Sequence, residues 1–199
     1  MLLVEADRRS RQGALLLLAS LAAFFLSSMI LFLVYVVRRT SSLSADAQGY
    51  ALPSSFIFST LLLIGISLAL HFAVHAARRD QSAKVLRLSL LAGGLALGFF
   101  VVQSQGMNIL RSRALMDSSL SSSLYPFTFL LALIHALHVV GGFVGMIAVV
   151  VKAIKHQYDH ERHWGLQFCA LYWHFLDAVW LVMLVSFSAA ILIIQIRST

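Results

Sequence analysis

Residues 172–180, YWHFLDAVW, set a histidine and an acid among aromatics within an otherwise apolar run. His174 and Asp177 stand three apart and share a helix face. An acid in mid-membrane costs about 2.5 to 3.5 kcal/mol on insertion scales, so such a group is held against protein and partnered. Trp173 and Trp180, two helical turns apart, form a second stripe beside the polar one. No nucleophile with a base and an orienting group accompanies them, which makes the face a contact surface before a catalyst.

A second constellation, HALHVVGGFVG, places His135 and His138 one turn apart, with Gly141, Gly142 and Gly145 following. At about 1.5 Å per residue, His138 lies about 17 Å from the outer end of its span and Asp177 about 17 Å from the inner end of the next. In a hydrocarbon core about 30 Å thick these depths are similar. The expectation is that His135 or His138 meets His174 or Asp177 across a contact that the glycines make close, giving one structural polar core. Gly94 and Gly98 form a GxxxG pair on the third span, beside Gly93, and predict a further close helix approach. Gln103, Gln105 and Asn108 predict interhelical hydrogen bonds.

Other histidines are weaker signals. His71 and His75 have metal-binding i, i+4 spacing, but no carboxylate or cysteine accompanies them and they read as interface residues. His156, His160 and His163, beside Asp159 and Glu161, read as a solvated loop with nothing to fix ligand geometry. His71, His138 and His174 on three different spans keep a haem-b-binding membrane cytochrome open as an alternative. Against it, two histidines on one helix cannot sandwich a haem, and Asp177 offers His174 a simpler partner.

The elements that position these residues follow from composition. With 60% apolar and 12% charged residues in 199, the chain departs from soluble domains, where about 25% charged is usual. A membrane span takes about 20 apolar residues, and the sequence holds five such runs, about 14–37, 54–77, 88–110, 127–151 and 166–194. The fold class is therefore all-α, a polytopic bundle of five transmembrane helices, with 1–199 a single transmembrane domain. Pro53 opens the second span, where its missing N–H costs nothing. Ser27 and Ser28 in the first can bond back to their own helix. Thr40–Gly49 and Arg111–Ser123 are read as loops. The apolar run after Arg8, Arg9 and Arg11 continues to Val37, too long for a cleaved signal, and is read as a retained helix.

The net charge of +7 does not imply nucleic acid, because the basic residues lie in connections and tails. Arg8, Arg9, Arg11, Arg78, Arg79, Lys84, Arg87, Lys152, Lys155 and Arg162 fall on one side, and Arg38, Arg39, Arg111, Arg113 and Arg197 on the other. The positive-inside rule then puts the N-terminus in the cytoplasm and the C-terminus outside. Trp164, Trp173 and Tyr125 are candidates for lipid contact at the interfaces, and the single cysteine, Cys169, for packing. No proline interrupts a span and no internal repeat stands out, which argues against a transporter.

These motifs resemble a known family. YWHFLDAVW is similar to the closing-helix signature of subunit III of the haem-copper respiratory oxidases. His135, His138, Gly141 and Gly142 match the preceding helix, with its HGLHV-then-glycine pattern. Pro53, Thr60, Ser67, Gly98, Phe99 and Gln103 add weaker matches, and five helices resemble the short bacterial form. The resemblance implies a non-catalytic accessory subunit in the bacterial cytoplasmic membrane. Such a subunit packs on subunit I, beside subunit II and other small membrane subunits, binds phospholipid and supports proton uptake. Haem and copper would belong to those partners and none to this chain. Tyr172, Trp173, Trp180, Gly141 and Gly142 would serve helix packing and contacts with subunits or lipid. Two departures stand out: Ser28 and Gly106 occupy positions where the family usually has glutamates. They favour a divergent branch, serving an atypical oxidase or a nitric oxide reductase.

Overall fold

The computed structural model describes residues 2–43, 53–116, 124–155, 157–158 and 163–198. It contains five helices: α1 (Leu2–Leu43), α2 (Ser55–Ala77), α3 (Ser82–Met116), α4 (Tyr125–Ile154) and α5 (Trp164–Ser198). All regular structure among the described residues is helical, and each of the five helices is long and apolar enough to cross a membrane. The chain is a multi-pass membrane protein.

Several helices overrun the apolar runs that announce them. α1 continues through Arg38 and Arg39 to Leu43, so residues 40–43 of the expected linker are helical. α3 starts at Ser82 and passes Arg111 to reach Met116. Charged residues mark where hydrocarbon ends, but the i→i−4 ladder closes within the segment and needs no hydrocarbon to continue. Pro126 sits in the first turn of α4, where no donor is lost. Between α2 and α3 the chain turns in four residues. Asp80 takes φ 55°, the left-handed conformation that asparagine and aspartate tolerate better than most. Its N–H bonds to Ala77 O and that of Gln81 to Ala76 O, the paired bonds that close a helix of this kind.

α2 packs on α3 and α5, and α4 also packs on α3 and α5, so these four make a ring. α1 lies outside the ring against α5. Its peripheral place shows in burial: 17% of its most apolar window is enclosed, against 44% for α2. The ring interior is aromatic, with Trp173, Trp180, Phe56 and Phe99 fully buried. Large apolar residues such as Leu16, Leu31, Leu61, Val101 and Val185 point outward, the surface a lipid-exposed bundle requires.

Close approaches occur at other glycines than the GxxxG spacing predicts. A Cβ at Gly93 or Gly94 would meet nothing within 4 Å, and one at Gly98 would touch Leu62 only at 3.9 Å. The tight seams of α3 lie elsewhere. A Cβ at Gly106 would come within 2.6 Å of the Phe56 ring and 2.8 Å of Ser55 Oγ, and one at Gly65 within 3.2 Å of Leu95. The spacing motif reports small size, while the partner's side chains decide where backbones approach.

Candidate functional site

The ionisable residues of the last two helices fall into two clusters on different faces of α5. The first joins α4, α5 and α1. His135 is fully buried and stacks on Trp180, with ring centroids 5.3 Å apart. Phe25 of α1 meets it edge-on at 6.1 Å and meets His138 at 5.1 Å. His138 Nδ1 lies 2.8 Å from Ile134 O, within its own helix. Tyr172 crosses from α5 and donates its hydroxyl to His138 O at 3.0 Å. Gly142 receives the Tyr172 ring: a Cβ there would stand 3.0 Å from it and 3.3 Å from Leu176. Gly141 lies beside the Tyr172 hydroxyl, whereas Gly145 faces open space. Trp180 closes the cluster by donating Nε1–H to Thr60 Oγ1 of α2 at 2.9 Å, and Thr60 donates on to Phe56 O.

The second cluster joins α5 to α2. His174 Nδ1 is 2.7 Å from Ser67 Oγ, and the Ser67 hydroxyl also neighbours Asp177. Asp177 Oδ1 has no hydrogen-bond partner among the described residues. His71 faces His174 with ring centroids 6.1 Å apart. These residues lead into a cleft of about 210 Å³ bordered by His71, His75, Arg78, Trp164, Gln167 and His174. The mouth lies at the membrane face where α2 ends and α5 begins. Trp164 there donates Nε1–H to Ser10 Oγ of α1 and carries the Arg11 guanidinium over its ring at 4.9 Å.

The expected single core of His135, His138, His174 and Asp177 is therefore not what forms. Depth is matched, but azimuth is not. At 3.6 residues per turn, His174 stands about 200° round α5 from Tyr172 and Asp177 about 140°, so the pair turns toward α2 while Tyr172 and Leu176 face α4. The partner expected for His174 also changes, from Asp177 to Ser67. Trp173 is fully buried, which removes it from lipid contact. A residue one turn above buried Cys169 shares its inward face. Trp164 and Tyr125 are part-exposed near helix ends, and Tyr125 accepts a hydrogen bond from Arg113 Nη1 at 3.1 Å.

In the sequence Ser67 and Thr60 stand out only through the family resemblance, and Phe25 not at all. A signal exists for the first: Ser67, His71, His75 and Arg78 recur at helical spacing and mark a polar stripe on α2. Phe25 carries none, since one phenylalanine in an apolar run resembles any other. Of the histidine-rich loop, His156, Asp159, His160 and Glu161 lie outside the described residues. Among the described residues no three His, Cys, Asp or Glu side chains are grouped to hold a metal. Beside that loop Tyr158 is buried, and burial pushes its phenol up to about 12.

The chain is similar to known proteins along most of its length. A family model described as cytochrome c oxidase subunit III matches residues 8–189. Curated proteins named cytochrome c oxidase subunit 3 from Oncorhynchus mykiss and Salmo salar are 29% and 30% identical to it over 130 residues. That from Tachyglossus aculeatus aculeatus is 30% identical over 130 residues. The matched stretch is 64% of this chain and 46% of each of these relatives, so the chain spans about half the length of the curated relatives it matches.

Proposed function

Because the chain belongs to the cytochrome c oxidase subunit III family, we propose that it is a non-catalytic accessory subunit of a respiratory terminal oxidase. In this reading 1–199 is one transmembrane domain, set in a bacterial cytoplasmic membrane with its N-terminus inside. It packs on the haem-bearing subunit I, with subunit II and further small membrane subunits nearby. It stabilises subunit I, binds phospholipid and supports proton uptake during turnover. Electron transfer to oxygen, haem and copper belong to the partners.

One observation carries the reading: the polar groups of α4 and α5 hold helices together. Tyr172 bonds to the His138 carbonyl, Trp180 bonds to Thr60, and His135 is sealed between Trp180 and Phe25. A buried polar group left without a partner costs about 1 to 3 kcal/mol, so the two bonds explain Tyr172, Trp180 and Thr60 without a redox role, while His135, whose ring nitrogens have no hydrogen-bond partner among the described residues, is held by its ring contacts. The haem-b cytochrome alternative fits less well. His138 lies with Tyr172 and Phe25 between α5, α4 and α1, whereas His174 lies with Ser67 and His71 against α2, so the two histidines stand on opposite sides of α5 and do not face one another across a common site. The departures at Ser28 and Gly106 agree with a divergent branch, a nitric oxide reductase assembly included. Ser28 bonds back to Phe24 O, and the Gly106 position is filled by Phe56, leaving no room for the family's glutamate.

The test is purification through a tag on this chain in mild detergent, followed by mass spectrometry and a haem spectrum. Co-purification of haem- and copper-bearing subunits in fixed proportion is expected. A chain recovered alone, or one that itself carries a Soret band, would overturn the reading.

A further inference from the structure

We propose that Asp177 is a proton-exchange site, reached from the α2/α5 cleft through His174 and Ser67. Asp177 lies thirteen residues into α5 from Trp164, about 20 Å along the helix axis, in a core about 30 Å thick. A carboxylate at that depth calls for a counter-ion, and among the described residues none faces it. From α2 come Ser67 and, nearer the mouth, His71; from α5 itself comes His174. The α1 residues against this part of α5 are Ala22, Phe25, Leu26 and Met29, all apolar. His135 and His138 of α4 lie across the helix, against Trp180, Phe25 and Tyr172. Arg78 stands at the mouth of the cleft, away from Asp177. Among the described residues the carboxyl thus has a hydroxyl neighbour, one unpartnered oxygen and no ion pair.

A carboxyl so placed can change its proton only along polar groups that reach water, and such a route is present. The cleft of about 210 Å³ has room for several waters at about 30 Å³ each. His174 lines that cleft and also holds Ser67 at 2.7 Å through Nδ1. An imidazole can accept a proton on one ring nitrogen and release one from the other, and a hydroxyl both donates and accepts. A proton arriving from cleft water at His174 Nε2 is matched by one passing from Nδ1 to Ser67 Oγ. The Ser67 hydroxyl proton passes in turn to the Asp177 carboxylate, which becomes the acid. Ring and hydroxyl rotation resets the relay, and release runs the same steps in reverse. His71 and His75 exchange with the same water nearer the mouth.

The relay uses side chains of this chain alone and is independent of its assembly with an oxidase. The full chain in proteoliposomes is examined by infrared spectroscopy for the carbonyl band of a protonated carboxyl. The band is expected to vanish in Asp177→Asn and to change frequency in Asp177→Glu, the second variant serving if the first does not fold. On transfer to deuterium oxide the wild-type band shifts, and Ser67→Ala and His174→Gln each slow that shift several-fold while keeping the band. A band that exchanges at the wild-type rate in both variants would overturn the proposal. So would the absence of any band assignable to Asp177 at every pH where the chain is folded.

Discussion

Trp180 Nε1 donates to Thr60 Oγ1 at 2.9 Å, and this bond joins the fully buried indole of α5 to a half-buried hydroxyl of α2. The same indole stacks on His135 of α4, so one side chain ties three helices together. Trp180→Phe keeps a ring against His135 but loses the donor, and Thr60→Val removes the acceptor while leaving the indole N–H buried. Each change should lower stability in detergent by about 1 to 3 kcal/mol. Their effects should combine non-additively in a double-mutant cycle. Additive losses would mean that the bond contributes nothing to the fold.

The three glycines of α4 should respond differently to one methyl group. Gly142→Ala places a Cβ 3.0 Å from a Tyr172 ring that is anchored through its hydroxyl to His138 O and cannot swing aside freely. An overpacking cost of about 1 to 3 kcal/mol follows. Gly145→Ala meets nothing within 4 Å and should leave stability unchanged or raise it by up to about 1 kcal/mol through helix propensity. Gly141→Ala, with the Tyr172 hydroxyl at 3.7 Å, should fall between them. Thermal unfolding of the three variants in one detergent gives the order.

Gly106 should be the least tolerant position of α3. Even alanine would bring a Cβ within 2.6 Å of Phe56 and 2.8 Å of Ser55 Oγ, closer than Gly142→Ala, and leucine is larger still. Gly106→Leu, an apolar change that adds bulk without charge, should therefore reduce the yield of folded chain more than Gly94→Leu, whose Cβ meets nothing within 4 Å. Size-exclusion profiles of the two variants would show it, and equal yields would count against the α2/α3 packing.

Tyr158 lies in the connection before α5, where burial raises its phenol to about 12 from the usual 10. An acid whose folded value is raised contributes nothing while both states are protonated. It opposes folding once pH passes the unfolded value, since the unfolded chain then loses its proton first. Alkaline titration followed by tyrosinate absorbance should lose one late-ionising tyrosine in Tyr158→Phe. The variant should also lose less stability between pH 10 and 12 than the parent.

Much of the fold was legible because lipid imposes length and apolarity on every span, and five runs of about 20 residues announce five helices. Helix ends were less legible: Arg38 and Arg111 mark the interface, and the backbone ladder runs past both. The two polar motifs of α4 and α5 stood out as ionisable residues in apolar runs, and depth along each helix followed from rise per residue. Which face met which neighbour did not follow, because that depends on how α2 and α1 dock on α5. His174 accordingly finds Ser67, a residue 107 positions away, instead of a histidine at matching depth on α4. Gly94 and Gly106 differ for the same reason: what a Cβ would meet at Gly106 is set by Phe56 and Ser55 of α2, and nothing stands within 4 Å of one at Gly94.

The most direct test of an accessory role is to compare the oxidase assembled with and without this chain, following oxygen consumption through sustained turnover. The depleted enzyme is expected to keep its haem and copper and to start at a rate near that of the intact complex, then to lose activity faster. Loss of haem or copper together with this chain, or an unchanged lifetime without it, would contradict the account.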